Sequence, residues 1–206
     1  WQNGVWTGSD RVPAERGISR GHYHLVDSST TGLWMLRWYR DVEPDPELLD
    51  YCERYAAGLV GLQDHKGFLP AWVDPVTGEP ERLLADSPET AQSATFLLEL
   101  AAVNGDDFAF QAGIRAIDAV LDGPAPDGRW EDFETYWSDN DLGRLTHVGR
   151  RFERNGVFKQ NTLSIFWTAE ACLRAWQLTG VDGYLRQGRR YLDELSMWQQ
   201  VWQPPQ

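Results

Sequence analysis

The chain has 206 residues, 42% of them hydrophobic, and a formal net charge of -12 at pH 7. These values predict one folded domain, residues 1–206, with an apolar core and no low-complexity stretch. An acidic chain repels phosphate groups and anionic lipids, no apolar run approaches the roughly 20 residues of a membrane span, and the first residues lack a signal-peptide pattern. We therefore expect neither nucleic-acid nor membrane binding.

Apolar residues at helical spacing predict three pairs of helices. The helices are expected at about 28–42, 45–62, 87–103, 106–121, 162–178 and 182–198. Asp45-Pro46 and Ser87-Pro88-Glu89 are typical helix starts, in which a polar cap precedes proline in the first turn. No alternating pattern predicts a strand, so the expected hairpins are about 28–62, 87–121 and 162–198 in an all-α fold.

The second and third pairs are copies of one repeat. Five residues recur at one constant offset: Gly105, Asp107, Gly113, Arg115 and Asp118 as Gly180, Asp182, Gly188, Arg190 and Asp193. Such recurrence indicates a repeated αα-hairpin. In each copy the first glycine is expected to end one helix, and the aspartate two residues later to cap the next.

Long connections alternate with these tight turns. They cover residues 1–27, 63–86 and 122–161, together with the tail after Trp198. Because each long segment follows an even number of antiparallel helices, all four are expected on the same rim. Long loops in a compact helical domain are usually functional.

Eleven tryptophans are many for a chain of this size, and several lie in the rim loops. Aromatic faces stack on pyranose rings, so these tryptophans predict a carbohydrate cleft. The alternative is that the indoles cap the ends of the helical core. The predicted substrate-binding tryptophans are Trp72, Trp130, Trp137 and Trp202, and Gln63 is included at the start of its loop.

Carboxylates accompany the aromatic rings of the third loop. Glycoside hydrolysis requires one carboxylic acid to protonate the leaving oxygen and one carboxylate as base or nucleophile. In an extended segment Asp132, Glu134 and Tyr136 project to one side, so they are predicted catalytic residues. Asp86 is a further catalytic candidate, with Glu89 and Asp74 as other rim acids. Each acid has the alternative of capping a helix or pairing with arginine.

Two imidazoles precede the first predicted helix. His24 is predicted to act as a proton-transfer group and His22 to bind substrate. Their spacing raises the question of a metal, but no convincing third ligand is present, so no metal or other cofactor is expected. Cys52 and Cys172 lie within helical patterns and are interpreted as buried structural residues.

A basic cluster in the third loop supports polysaccharide lyase chemistry as an alternative. Its residues are Arg144, His147, Arg150, Arg151, Arg154 and Lys159. In β-elimination a uronate carboxylate must be neutralised before a histidine or tyrosine removes the neighbouring proton. Arg150 and Arg151 are the predicted uronate contacts. Alternatively, the arginines only balance the acidic surface.

Repeated αα-hairpins with tryptophan- and glycine-rich loops resemble the (α/α) toroid enzymes that act on glycans, including unsaturated glucuronyl hydrolases and polysaccharide lyases. The most specific matching pieces are residues 87–91, 130–137 and 195–202. The resemblance implies an oligo- or polysaccharide substrate, a bacterial source and a periplasmic or secreted location. A complete toroid has about six or seven hairpins, so further hairpins or a second subunit are expected to cover the apolar ends of this arc.

The prediction is therefore an arc or incomplete (α/α) toroid acting as a glycoside hydrolase. Besides the lyase, two alternatives stay open. Residues 63–68 partly resemble the Gln-Gly-aromatic repeat of terpenoid cyclases, although no Asp-rich motif matches. Stacking tryptophans also bind sugars without catalysis, which allows a glycan-binding protein.

Overall fold

The structure is a computed structural model that describes residues 22–74, 76–133, 135 and 147–198. Among these residues the helices are α1 (Leu25–Asp41), α2 (Pro46–Leu62), α3 (Thr90–Asn104), α4 (Asp107–Asp122), α5 (Thr162–Thr179) and α6 (Asp182–Ser196). All six predicted helices are present, with ends shifted by a few residues. None of them combines the length and apolar character required to cross a membrane.

The helices form two layers. Helix α3 packs between α1 and α5, which gives an inner layer, and α2, α4 and α6 pack outside their hairpin partners. Consistent with its central place, α3 is buried at every position from Thr90 to Leu100. The all-α arc of hairpins predicted from the sequence is thus confirmed.

The tight turns follow the predicted chemistry with one difference. Asp45 caps α2 by accepting from the Glu47 N–H, and Gly105 ends α3 in the left-handed conformation. The predicted capping role of Asp107 and Asp182 is wrong, because both are the first residues of their helices. Asp106 caps α4 instead, and Val181 precedes α6 without a side-chain cap.

The repeated glycines let each outer helix approach its inner partner. A Cβ at Gly113 would stand 2.8 Å from Cγ of Leu98, and one at Gly188 would stand 3.2 Å from Cβ of Cys172. The two α–α crossings therefore use the same glycine position of the repeat. This equivalence explains physically why the glycines recur in the sequence.

A short β-ladder, which the sequence analysis did not predict, joins two of the rim segments. Strand β1 (Tyr23–His24) pairs antiparallel with β2 (Trp72–Val73), with His24 opposite Trp72. The expectation of no strand is wrong here because two residues are too few for a detectable alternation. The ladder fixes the segment before α1 against the loop before α3.

One end of the arc is apolar and open. A groove of about 260 Å³ lies between α5 and α6. Its lining includes Phe166, Ala169, Leu173, Leu185, Gly188 and Leu192. The exposure of Phe166, Leu173 and Leu192 gives this flank the character expected of an incomplete toroid.

Candidate functional site

Three rim segments converge on one group of aromatic rings. The imidazole of His24 stacks on Trp72 with ring centroids 4.5 Å apart, and Phe133 lies 4.8 Å from His24 and 4.9 Å from Trp72. These residues precede α1, α3 and α5 respectively. The predicted convergence of the long segments is confirmed for these three.

A charge network runs through the same point. His24 Nε2 lies 3.1 Å from Oε2 of Glu89, and its Nδ1 lies 3.3 Å from Oδ2 of Asp27. Burial by itself would lower the pKa of His24, but the neighbouring charge of Glu89 and the hydrogen bonds to both carboxylates outweigh it and raise the pKa to about 10. His24 is therefore a cation at neutral pH.

Glu89 connects this cation to the third loop. Its second oxygen, Oε1, accepts from the backbone N–H of Phe133, while its own N–H donates to Oγ of Ser87 at 3.1 Å. The Ser87 hydroxyl in turn donates to the carbonyl of Glu131 at 3.0 Å. These contacts fix the start of α3 against the loop that precedes α5.

Asp132 is fully buried, at 0% exposure, and hydrogen bonds hold its carboxylate oxygens. It accepts from Oγ of Ser164 at 2.6 Å, from Nδ2 of Asn161 at 3.0 Å, and from the N–H and hydroxyl of Thr135 at 2.9 and 2.8 Å. Burial and the charge of Glu89 raise the pKa of Asp132 to about 6, although the bonds from Ser164 and Thr135 oppose the shift. Its side chain thus changes protonation close to neutral pH.

Several members of this network were not predicted. Glu131 is completely buried and pairs with Nε of Arg129 at 2.7 Å. Ser164 and Asn161 hold Asp132 from the start of α5. Only Asn161 carried a sequence signal, because it directly precedes a helical pattern and caps α5.

The predicted tryptophans Trp72 and Trp130 are both 0% exposed. Trp130 packs edge-on against Tyr191, with centroids 5.1 Å apart, and its Nε1 donates to Glu194 at 2.6 Å. The buried N–H of Trp72 has no hydrogen-bond partner within the described ranges. Both indoles therefore lie where the alternative interpretation expects them, closing the ends of the helical core. A sugar contact stays a prediction for both residues.

Two other predicted residues brace loops. The side chain of Asp86 is 46% exposed and lies 3.4 Å from Nζ of Lys66, and Ser87 makes the bond expected of a cap before α3. Gln63 donates to the carbonyls of Gly67 and Ala112 at 2.9 Å each. Neither residue takes part in the network around His24.

The basic cluster is only partly described. Arg151 lies over the ring of Phe158 at 4.3 Å and donates to the carbonyl of Gly156 at 3.0 Å, so it folds back on its own loop. Arg150 is exposed, and His22 is half-buried beside the β-ladder. The other predicted residues of this loop and the tail, Glu134, Tyr136, Trp137, Arg144 and Trp202, lie outside the described residues.

An exposed stripe on α1 continues from the network. Asp27 is 44% exposed, Trp34 62% and Trp38 53%. The residues lie seven and four positions apart, so they share one face of the helix. The sequence analysis gave Trp34 and Trp38 no role because it considered only the tryptophans of the long loops, although this spacing was visible.

Ion pairs join α1 to α5 across α3 on this side of the arc. Arg37 lies over the ring of Trp34 at 5.1 Å and pairs with Glu170 of α5 at 2.6 Å. Glu99 of α3 pairs with Arg40 of α1 and lies 2.9 Å from Nε of Arg174 of α5. We call this face the inner surface; it carries Asp27, Trp34, Arg37, Gln92, Glu99 and Glu170.

Gln92 contributes a polar group at the centre of the inner surface. Its Nε2 donates to Oγ1 of Thr30 at 2.9 Å, whereas its Oε1 is buried and has no partner in the described part of the chain. No group of three or more His, Cys, Asp or Glu side chains among the described residues is placed to hold a metal ion.

No protein-family model matches the chain, and no curated protein matches it. Among solved structures it is similar to a family 76 glycoside hydrolase from a bovine Bacteroides thetaiotaomicron strain, with a TM-score of 0.60 and 12% sequence identity. The match covers 86% of this chain and 36% of that one. The chain therefore has the hairpin arrangement of an (α/α) toroid and spans about a third of such a hydrolase.

Proposed function

We propose that the chain is part of a carbohydrate-active enzyme, a glycoside hydrolase whose glycan lies along the inner surface. The observation that carries the proposal is the convergence of three rim segments on the His24–Glu89–Asp132 network, which opens to solvent at Asp27 beside exposed tryptophans. The likeness in fold to a glycoside hydrolase supports the same conclusion.

A catalytic carboxylate must reach the glycosidic oxygen. Asp27 is the carboxylate of the network that is open to solvent, and the His24 cation holds it while Glu89 holds His24. We assign Asp27 the contact with substrate, and His24 and Glu89 the role of positioning it. Glu170, partly exposed across the inner surface, is the candidate for the second carboxylate.

Asp132 and Glu134 are the pair that the sequence favours. A pKa raised to about 6 suits Asp132 to hold a proton near neutral pH. However, its oxygens already accept from Ser164, Asn161 and Thr135. We therefore propose that Asp132 positions the start of α5, and Glu134 stays a candidate on sequence grounds alone.

The protonation of His24 favours hydrolase over lyase chemistry. A lyase base must be neutral before it removes a proton, and a histidine with a pKa near 10 is charged at neutral pH. Arg151, one of the expected uronate contacts, is occupied by its own loop. The lyase alternative therefore needs a different base.

The apolar groove supports the proposal that a further hairpin covers this end of the arc. Leu98 in α3 is fully buried, whereas Leu173, its equivalent in the repeat, is 43% exposed at the groove. We propose that another αα-hairpin of the same kind covers Leu173.

If a second copy of the chain supplies this hairpin, light scattering will show a dimer that Leu173→Arg dissociates. If another part of the polypeptide supplies it, the 206-residue chain will be monomeric and will bind a hydrophobic dye at the groove. A monomer that binds no dye contradicts this part of the proposal.

The enzymatic proposal is tested by incubating the chain with neutral and uronate glycans. Hydrolysis releases reducing ends, whereas elimination also produces an ultraviolet-absorbing double bond. Asp27→Asn is expected to lower cleavage at least 100-fold with only a small loss of thermal stability, because Glu89 still pairs with His24. Asp132→Asn is expected to change both cleavage and thermal unfolding. Cleavage that survives Asp27→Asn contradicts the assignment. Binding without cleavage indicates a glycan-binding protein, and selective binding of isoprenoid diphosphates indicates the cyclase.

A further inference from the structure

We propose that Trp34, Gln92 and Asp27 form a binding site for one neutral pyranose unit. Trp34 stacks on the ring, while Gln92 and Asp27 bond to its hydroxyl groups. The inference rests on the proposed function only in taking the ligand to be a glycan. It adds the residues that hold the sugar and the charge class of that sugar.

The three side chains adjoin one another. The Thr30 hydroxyl accepts a hydrogen bond from the amide of Gln92 at 2.9 Å. On α1, Thr30 lies four residues before Trp34 and three after Asp27. Residues three or four apart are neighbours on a helix surface. Gln92 therefore stands beside the strip that runs from Asp27 to Trp34.

Gln92 supplies an unpartnered polar group beside Trp34 and Asp27. It is 3% exposed, and its Oε1 is a buried acceptor without a partner within the described residues. Such a group is usually satisfied by protein, water or ligand. If the amide were turned over, the Thr30 hydroxyl would donate to the oxygen and the NH₂ group would lack its partner instead. A sugar hydroxyl satisfies either arrangement because it both donates and accepts.

Trp34 supplies the apolar contact. Its indole is 62% exposed, and the guanidinium of Arg37 lies over the ring at 5.1 Å. An indole has two faces, and because Arg37 lies over one of them, the proposal assigns the sugar to the other. Arg37 is itself held by Glu170, which fixes the ring for stacking.

The charges around the site select against anionic sugars. Asp27 borders it, and the cations nearby are paired, Arg37 with Glu170 and Arg40 with Glu99. The chain as a whole carries a net charge of -12. A uronate, sulfated or phosphorylated sugar would meet a negative field without a free cation among these residues.

Calorimetric titration with neutral hexose and pentose oligosaccharides, and with an oligogalacturonate as the acidic counterpart, tests the site. The chain is expected to bind a neutral oligosaccharide at least 10-fold more tightly than the acidic one. Trp34→Ala and Gln92→Leu should each weaken that binding about 10-fold, and Trp34→Phe should restore most of it. Trp198→Ala, which removes a half-exposed indole after α6, is the matched control and should bind as the unmodified chain does.

Each outcome separates this inference from the proposed activity. Binding that Trp34→Ala abolishes, in a chain that cleaves nothing, supports the site and contradicts the hydrolase. Cleavage whose KM is unchanged by Trp34→Ala and Gln92→Leu supports the hydrolase and overturns the site. Tighter binding of the oligogalacturonate, or no binding of any neutral oligosaccharide, also overturns the site.

Discussion

The rim cluster, formed by His24, Trp72, Glu89, Asp132 and Phe133, and the inner surface contain the same kinds of side chain. Both combine aromatic rings with carboxylates and a cation. They differ in exposure, since Trp72 is 0% and Trp34 62% exposed. The comparison teaches that residue type alone does not separate tryptophans that build the fold from those that are free to bind.

Burial is tolerated in the rim cluster because its charged groups are paired. Two contacts join different hairpins, since β1 lies against β2 and Glu89 holds Phe133, while Asp132 fixes the third loop to the start of α5. Buried charges persist when they are paired and hydrogen-bonded. The rim cluster thus adds to the packing of α1 and α5 on α3 in holding the three hairpins together, and the inner surface lies beside it.

The largest expected contrast is between the two tryptophans. Trp72→Ala should lower the free energy of unfolding by about 3–5 kcal/mol, because it empties a buried site. Trp34→Ala should change it by no more than about 0.5 kcal/mol, because the ring is mostly in water. Urea unfolding of both variants measures the difference, and equal losses would erase the distinction between the two regions.

The alkaline stability of the fold should depend on His24. The folded pKa of about 10 exceeds the ordinary value of 6.5, so the stabilisation is complete below pH 6.5 and is lost as pH rises towards 10. His24→Gln should cost about 3 kcal/mol at pH 6, as for a broken buried pair, and should flatten this dependence. Unfolding curves between pH 6 and 10 show the effect, with His65→Gln in an exposed loop as the control. An unchanged alkaline slope would contradict the charged assignment.

Asp132 should give a pH dependence of the same sign in the acid range. Its folded pKa of about 6 lies above the ordinary 3.8, so the folded state holds its proton more tightly and stability falls as pH rises from about 4 to 6. The shift corresponds to about 3 kcal/mol at most. In urea unfolding measured between pH 4 and 6, Asp132→Asn should remove this fall in stability. A stability that rises with pH in the unmodified chain, and no longer does so in Asp132→Asn, would refute the raised pKa.

Asp86 should give the smallest effect. Its pair with Lys66 is exposed on both sides, so Asp86→Asn should change stability by no more than about 0.5 kcal/mol. Glycan cleavage should also be unchanged, because Asp86 lies outside the network of His24. A loss of cleavage in a variant with normal unfolding would restore the catalytic role that the sequence suggested.

Much of the rim could be predicted because chain direction alone determines it. Tight turns after odd helices send every long segment to the same side, which brought His24, Trp72 and Phe133 together as expected. The capping residues were predicted less well. Asp106 and Asp107 are adjacent acids, and only the backbone angles distinguish the cap from the first helical residue.

The sequence by itself determined the helices, the repeat and the common rim, because apolar spacing, turn glycines and helix direction are local properties of the chain. Tertiary structure alone decided which tryptophans and acids reach solvent. Trp72 and Trp130 were drawn into the core by their loops, while Trp34 was left outside by the rotation of α1 on α3. Exposure depends on how distant elements pack, and that information is spread over contacts that no short stretch of sequence contains.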